Sequence, residues 1–193
     1  MYYVVYVGSG NESDAVKAIL NNTGREICSE CFYPVRMQKK KVRGLWQVIR
    51  DVLLPGYVFI RTDDIKSLYI ALREKHVYHK VLGHSEMEQS SEFYALTKPE
   101  EMWLKTLMGG AENIDSENPI IDISQVGFDE NDKVKVLSGP LLGMQGMVKK
   151  INLHRRVAEV EIDFMNRKTT VYLGIEIVAK EEKKCRFSIE RID

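Results

Sequence analysis

A change in composition near the middle of the chain does most to limit the folds that it can adopt. Between Gly109 and Phe128 the sequence has Gly-Gly, Asn, Ser, one Pro and four acids, and neither lysine nor arginine, which is typical of a linker. In a chain of 193 residues such a linker separates two units that are each large enough for a small domain. We therefore predict domains at 1–109 and 129–179, a linker at 110–128 and a charged tail at 180–193.

The overall composition excludes several classes of protein. Lys plus Arg and Asp plus Glu both number 28, so net charge gives no reason to invoke nucleic acid, and any basic surface must be local. No apolar run approaches the roughly 20 residues that cross a bilayer, and the amino terminus lacks the basic region of a signal peptide. We expect a cytoplasmic protein, a monomer that does not bind membranes.

Three cysteines in a chain without an export signal argue against a disulfide framework. Cys28 and Cys31 have the spacing of half a zinc site, and His76 and His79 could supply the other half. If both pairs lie in strands, however, an offset of three places the two side chains on opposite faces. We expect reduced thiols and no metal or other cofactor, and a redox use of the Cys pair is the weakest alternative.

The first unit is predicted to alternate strands and helices. Strands are predicted at Tyr2–Val7, within Glu26–Arg50, after Pro55–Gly56 and at Val77–Leu82. Helices are predicted from Asn11 or Ser13 to Gly24, from Asp63 through Leu72, and over most of Ser90–Met108, where Thr97 and Glu100 form a capping box. This order predicts an α+β fold in which helices flank a mostly antiparallel sheet.

The second unit is predicted to be all β. Short β-forming runs occur at Lys133–Leu137, Gln145–Ile151, Val157–Phe164, Lys168–Leu173 and Ile175–Val178, and turn residues separate them. Five short strands in about 50 residues predict a small β-barrel. Ile120, Ile121 and Ile123 in the preceding linker indicate that part of it lies on a domain surface.

Two segments resemble a known family. The run from Val134 to Val148, with its Gly139-Pro140 and the spaced Gly143 and Gly146, resembles a KOW motif. Tyr2-Tyr3-Val4-Val5 and Leu53-Leu54-Pro55-Gly56-Tyr57-Val58-Phe59 resemble the NGN domain of NusG. Leu53-Leu54, where general NusG usually has aromatic residues, and the basic turns of the second unit are most similar to the specialised LoaP group.

The resemblance implies a bacterial elongation factor with processive antitermination activity and no catalysis. It also implies that the NGN domain binds the clamp helices of RNA polymerase through Tyr6, Leu54, Tyr57 and Phe59. Strand periodicity alone instead favours aromatic side chains buried beneath the domain's own helices. Exposed aromatic residues at the centre of an interface contribute roughly 2 kcal/mol each.

Basic residues form two groups with candidate roles in binding nucleic acid. In the second unit they bracket turns and favour a nascent RNA hairpin, because Arg contacts phosphates bidentately and stacks on bases; they are Lys149, Lys150, His154, Arg155, Arg156, Arg167 and Lys168. Glu159, Glu161 and Asp163 are expected on a separate acidic strand face. The basic tip Lys39, Lys40, Lys41 and Arg43 is a candidate contact to RNA or non-template DNA, or is basic only for solubility.

Two other functions are also consistent with the sequence. The chain could be a general NusG whose KOW domain binds a protein partner, or a ribosome-associated KOW protein. No P-loop, nucleophile elbow or H-E-x-x-H motif supports an enzyme.

Overall fold

The computed structural model describes residues 1–74, 93–109 and 118–178. The strand predicted at Val77–Leu82, the pair His76 and His79, Cys185 and the tail at 180–193 lie outside these residues. Within the described ranges, no helix is long and apolar enough to cross a membrane.

The first domain is built on a four-stranded antiparallel sheet. Its strands are β1 (Tyr2–Tyr6), β2 (Glu30–Phe32), β5 (Tyr57–Arg61) and β6 (Phe93–Ala95), in the order β2-β5-β1-β6. Among the described residues, three helices accompany it: α1 (Glu12–Asn22), α2 (Ile65–Glu74) and α3 (Lys98–Leu107). This confirms the predicted α+β architecture.

Side chains on the two faces of this sheet enter two separate cores, as a strand period of two requires. Val5, Val7, Val58 and Ile60 pack with buried residues of α1 and α2. The opposite, aromatic face carries Tyr2, Phe32 and Phe59, and its core continues into Trp103 of α3 and into the second domain. The sheet therefore has one face covered by its own helices and another shared between domains.

The helix predicted over most of Ser90–Met108 is shorter than expected. Phe93–Ala95 forms strand β6, which pairs with β1 in the register Val5↔Phe93. The aromatic residues of this segment fit a pleated sheet better than a helix, and the free edge of β1 supplies the hydrogen-bonding partner. The predicted capping box is confirmed: the Glu100 carboxylate accepts hydrogen bonds from Thr97 N and Oγ1, both at 2.8 Å.

A long hairpin projects from the first domain. Strands β3 (Val35–Val42) and β4 (Leu45–Val52) are joined by Arg43 and Gly44, both with positive φ (50° and 87°), as a type I′ turn requires. The basic segment 38–44 is therefore mostly strand, and only its last two residues form the turn. A short parallel strand, β7 (Ile120–Ile121), pairs with β3.

The second domain is a curled sheet of five strands. They are β8 (Ser124–Phe128), β9 (Val134–Ser138), β10 (Val148–Asn152), β11 (Val157–Phe164) and β12 (Arg167–Ile177), in the order β10-β11-β12-β8-β9. Two predicted strands, Lys168–Leu173 and Ile175–Val178, are one continuous strand, because Gly174 stays in register with Val157. The residues Gln145–Met147 belong to a 3₁₀ segment, Pro140–Met147, and not to a strand.

The second half of the predicted linker contributes strands to both domains. Ile120–Ile121 pairs with the first domain and Ser124–Phe128 with the second, so only residues 122–123 separate strands that belong to different sheets. Part of the predicted linker thus lies on a domain surface, as the isoleucines indicated.

Candidate functional site

The four residues assigned by resemblance to polymerase binding share one region but differ in exposure. Tyr6 is 55% exposed and Tyr57 is half-buried, with ring centroids 5.2 Å apart. Leu54 and Phe59 are buried. Phe59 stacks on Phe32 at 5.7 Å. We call Tyr6, Leu54, Tyr57 and Phe59 the aromatic surface.

One residue of the second domain closes the aromatic surface. Phe164, at the end of β11, lies edge-on to Tyr57 with ring centroids 5.1 Å apart and lies 6.1 Å from Phe59. Phe164 is only 3% exposed. The deeper part of the aromatic surface is therefore covered by the protein's own second domain, an arrangement that strand periodicity could not show.

Helix α3 holds the end of β11 in this position. The indole Nε1 of Trp103 donates a hydrogen bond to the carbonyl oxygen of Asp163 at 2.9 Å, and Met165 N donates to Glu100 Oε1 at 2.7 Å. Glu100 is buried, and its second oxygen accepts the capping hydrogen bonds of α3. The Glu100 carboxylate thus caps the amino-terminal end of α3 and also binds the second domain. Hydrogen bonds to a charged acceptor are roughly twice as strong as neutral ones.

Strands β3 and β12 pack together at a second contact between the domains. Arg36 Nη1 donates to the carbonyl oxygen of Tyr172 at 2.8 Å, and Lys39 forms an ion pair with Glu176. At Gly174, an added Cβ would lie 2.3 Å from the carbonyl oxygen of Met37. The absence of a side chain at this position therefore permits the close approach of the two strands.

A cleft of about 770 Å³ lies beside this contact, between the β3–β4 hairpin and the turn that joins β10 to β11. We call it the interdomain cleft. It brings together members of both predicted basic groups, namely Lys39, Lys40 and Lys41 from the first domain and His154 and Arg155 from the second. Arg36, Gln38, Trp46, Val157, Glu159 and Tyr172 also line it.

Of the remaining basic candidates, Arg156 lies at the edge of the cleft and the others lie outside it. Arg43 is at the exposed tip of the hairpin, and Lys150 and Arg167 are exposed on the second domain. Arg156 lies against the Trp46 ring, with its guanidinium carbon 5.4 Å from the ring centroid.

The acidic face of β11 is not separated from the basic residues of the second domain. Lys149 pairs with Glu161 at 3.2 Å, and Lys168 pairs with Asp163 at 2.7 Å. The basic and acidic residues thus neutralise each other across neighbouring strands, contrary to the segregation that we expected. Exposed pairs like these contribute little to stability, so both lysines can still exchange partners.

The cysteine pair is also placed differently from the expectation. Cys28 lies in the turn before β2 and Cys31 within it, and both are buried in the same core. Because Cys28 is not in a strand, the opposite-face argument does not apply. The hydrogen bond with Cys28, together with burial, raises the pKa of the Cys31 thiol well above its usual value. Among the described residues, no cluster of His, Cys, Asp and Glu is suited to a metal ion.

Sequence reasoning missed two aromatic members of the cleft, Trp46 and Tyr172, which are 42% and 44% exposed. A usable signal existed for Trp46. Placing a two-residue turn at Arg43-Gly44 pairs Lys41 with Trp46, as the structure shows, and directly paired residues lie on the same face. No comparable signal links Tyr172 to the hairpin, since that contact depends on the docking of the domains.

Comparison with known proteins identifies both halves of the chain. Residues 1–100 match the family described as "Transcription termination factor nusG", and residues 130–163 match the KOW motif. The chain is also similar to a solved structure titled "Domain interaction in Thermotoga maritima NusG". The sequence identity is 20% and the TM-score 0.47, and the match covers 90% of this chain and 92% of that one.

Proposed function

We propose, since this chain belongs to the NusG family, that it is an elongation factor of the specialised antitermination type. Its NusG and KOW regions support a role in transcription elongation, and both are non-catalytic domains of transcription factors. In the proposed mechanism the first domain binds RNA polymerase through the aromatic surface. The second domain binds a hairpin in the nascent RNA.

The proposal that the first domain binds RNA polymerase rests on the aromatic surface. One face of its sheet packs against the helices α1 and α2 of the same domain, whereas the aromatic face is completed by Phe164 from the second domain. Contacts between domains resemble transient protein interfaces, and relative motion is expected unless they are large. An apolar face covered by a removable partner is suited to exchanging that partner for another protein.

This arrangement orders the binding events. Tyr6 is exposed in the docked state, whereas Leu54 and Phe59 are not. Polymerase can therefore contact Tyr6 first, but full use of the aromatic surface requires Phe164 to leave. The free energy of domain docking then subtracts from that of polymerase binding.

The test of the polymerase half is Tyr6→Ala. Because Tyr6 is largely exposed, its removal should leave folding intact and weaken binding to purified polymerase by at least tenfold, the effect of losing roughly 2 kcal/mol at a central contact. Tyr69→Ala, on helix α2, is the matched control. Equal polymerase affinity for the Tyr6 and Tyr69 variants would exclude the aromatic surface as the binding site.

The test of the RNA half is the double variant Arg155→Ala with Arg156→Ala. Charged or bidentate contacts contribute roughly 1 to 3 kcal/mol each, so affinity for a cognate leader hairpin should fall at least tenfold. Replacing Lys149 and Lys150 should instead flatten the slope of log affinity against log salt by about one unit per lost phosphate contact. Lys17→Ala with Arg25→Ala, both exposed on the first domain, is the control.

Unchanged hairpin affinity for the double Arg variant across a salt series would contradict RNA recognition. The general NusG function, with a protein partner for the KOW domain, would then replace it. Co-purification with ribosomes and not with polymerase would instead select a ribosome-associated role.

A further inference from the structure

The interdomain cleft combines charge in a way that neither domain offers alone. Arg36, Lys39, Lys40, Lys41 and Arg155 line it, against Glu159. Lys39 is paired with Glu176, and Lys40 lies 3.4 Å from Asp51. Within the part of the chain that the structure describes, Lys41 and Arg155 form no ion pair. These two cations, one from each domain, line the cleft without a carboxylate partner among the described residues.

Aromatic rings accompany these cations. Trp46 lies opposite Lys41 on the hairpin and remains 42% exposed, while Tyr172 of β12 is 44% exposed on the other side. The guanidinium of Arg156 lies beside the Trp46 ring and adds a third planar group. Proteins that bind single strands combine a basic groove for the backbone with aromatic rings on which bases stack.

The geometry points to an occupant, and we propose that the interdomain cleft binds a short single-stranded segment of nucleic acid. Its phosphates contact Lys41 and Arg155, and its bases stack on Trp46 and Tyr172. A cleft of about 770 Å³ is within the range of ligand pockets, roughly 300 to 1,000 Å³. We expect a single strand and not a duplex, because bases within a duplex hide the faces that would stack on the two rings.

This inference deepens the RNA-binding half of the proposed function and rests on it. The second domain binds the RNA hairpin, and the cleft holds an unpaired stretch such as its apical loop or a flanking strand. The site exists only while the domains are docked, because Lys41 and Trp46 belong to one domain and Arg155 and Tyr172 to the other.

The dependence on docking has a thermodynamic consequence. A ligand that binds only the docked state stabilises that state, and polymerase needs the opposite state to use the whole aromatic surface. The two ligands must therefore weaken each other's binding by the same factor. Single-stranded nucleic acid in the cleft thus acts against polymerase binding at Tyr57 and Phe59, which Phe164 covers in the docked state.

The experiment measures binding of a labelled single strand of about eight nucleotides to the full chain by fluorescence anisotropy. RNA and DNA of the same sequence form two arms, and a blunt duplex is the competitor. Trp46→Ala should weaken binding at least fivefold, since it removes a stacking platform. Lys41→Ala should reduce the salt slope by about one unit, whereas Lys66→Ala, on α2, should not change it.

The decisive variant is Gly174→Ala, which leaves every side chain of the cleft chemically unchanged but forces β12, and with it Tyr172, away from Met37. It should weaken single-strand binding at least fivefold, a drop at the low end of what losing one stacked base costs. Gly146→Ala, where an added Cβ meets nothing within 4 Å, should have no effect. A preference for the RNA arm would identify the transcript as the source, and equal binding of both arms would indicate recognition of phosphate and base alone.

Two results would overturn the proposal that the interdomain cleft binds a single strand. If Arg155→Ala with Arg156→Ala weakens hairpin binding while the Lys41, Trp46 and Gly174 variants bind the single strand normally, the second domain acts alone and the proposed function survives. If neither the hairpin nor the single strand responds to any of these variants, both the cleft and RNA recognition are rejected.

Discussion

Domain docking should limit the affinity for polymerase, and Gly174 offers a way to change docking alone. In the variant Gly174→Ala, the new Cβ would lie 2.3 Å from the Met37 carbonyl oxygen and 2.9 Å from the Cα atom of Gln38. Both neighbours are backbone atoms, which cannot rotate away. The strands must separate by roughly 1 Å to restore ordinary contact distances.

The magnitude follows from the cost of overpacking, which is typically about 1 to 3 kcal/mol. Such a cost lowers the population ratio of docked to open protein by roughly 5- to 150-fold. While the open state is the minor one, the apparent affinity for polymerase rises by the same factor. We expect an increase in this range, which levels off when most molecules are open.

The assay is a titration of purified polymerase core with the labelled variant, compared with wild type and with Gly146→Ala. Opening is followed separately through Trp103 fluorescence in a Trp46→Phe background, because Trp103 is buried at the interface and these are the two tryptophans of the chain. If Trp103 becomes exposed to solvent and polymerase affinity does not rise, Phe164 does not compete with polymerase. The reasoning would then be refuted.

Two further predictions concern stability. Phe59→Ala should lower the free energy of unfolding by roughly 3 to 5 kcal/mol, because Phe59 is fully buried. This variant is therefore a poor probe of polymerase contact. Urea denaturation that showed no loss of stability would contradict the burial of Phe59. Hydrogen bonds from the Ser67 side chain and backbone lower the pKa of Asp64 at the start of α2. The ionised Asp64 therefore stabilises the fold fully above the ordinary carboxyl pKa, and this stabilisation is lost as the pH falls through the lowered pKa. The difference in Tm between wild type and Asp64→Asn should accordingly be larger at pH 7 than at about pH 2, and a difference independent of pH would contradict the assignment.

Much of the first domain follows from local pattern. Alternation in Tyr2–Val7 and Tyr57–Ile60 predicts two unlike faces, and the structure shows an aliphatic core on one side and an aromatic core on the other. The capping box at Thr97 and Glu100 was equally visible, since both of its residues lie within one turn. Such features depend on neighbours in sequence, which a single chain displays directly.

The features that were missed depend on partners distant in sequence. Phe93–Ala95 is a strand because β1 has a free edge beside it, and a run of three residues is too short to carry a pattern of its own. The covering of Tyr57 by Phe164 and the entry of Tyr172 into the cleft depend on the fit of Gly174 against Met37. A close contact between two strands that a single added methyl group would prevent produces no periodic pattern in the sequence.

The position of Phe164 along the chain also sets a time order during synthesis. Domains generally fold as they emerge, and chains grow at about 5 to 20 residues per second. Phe164 is added about 60 residues after the last turn of α3, which amounts to roughly 3 to 12 seconds of translation. During this interval the first domain has its sheet and α3 but not the side chain that covers Tyr57 and Phe59. Each newly made molecule thus passes once through a form with its aromatic surface open before the second domain closes it.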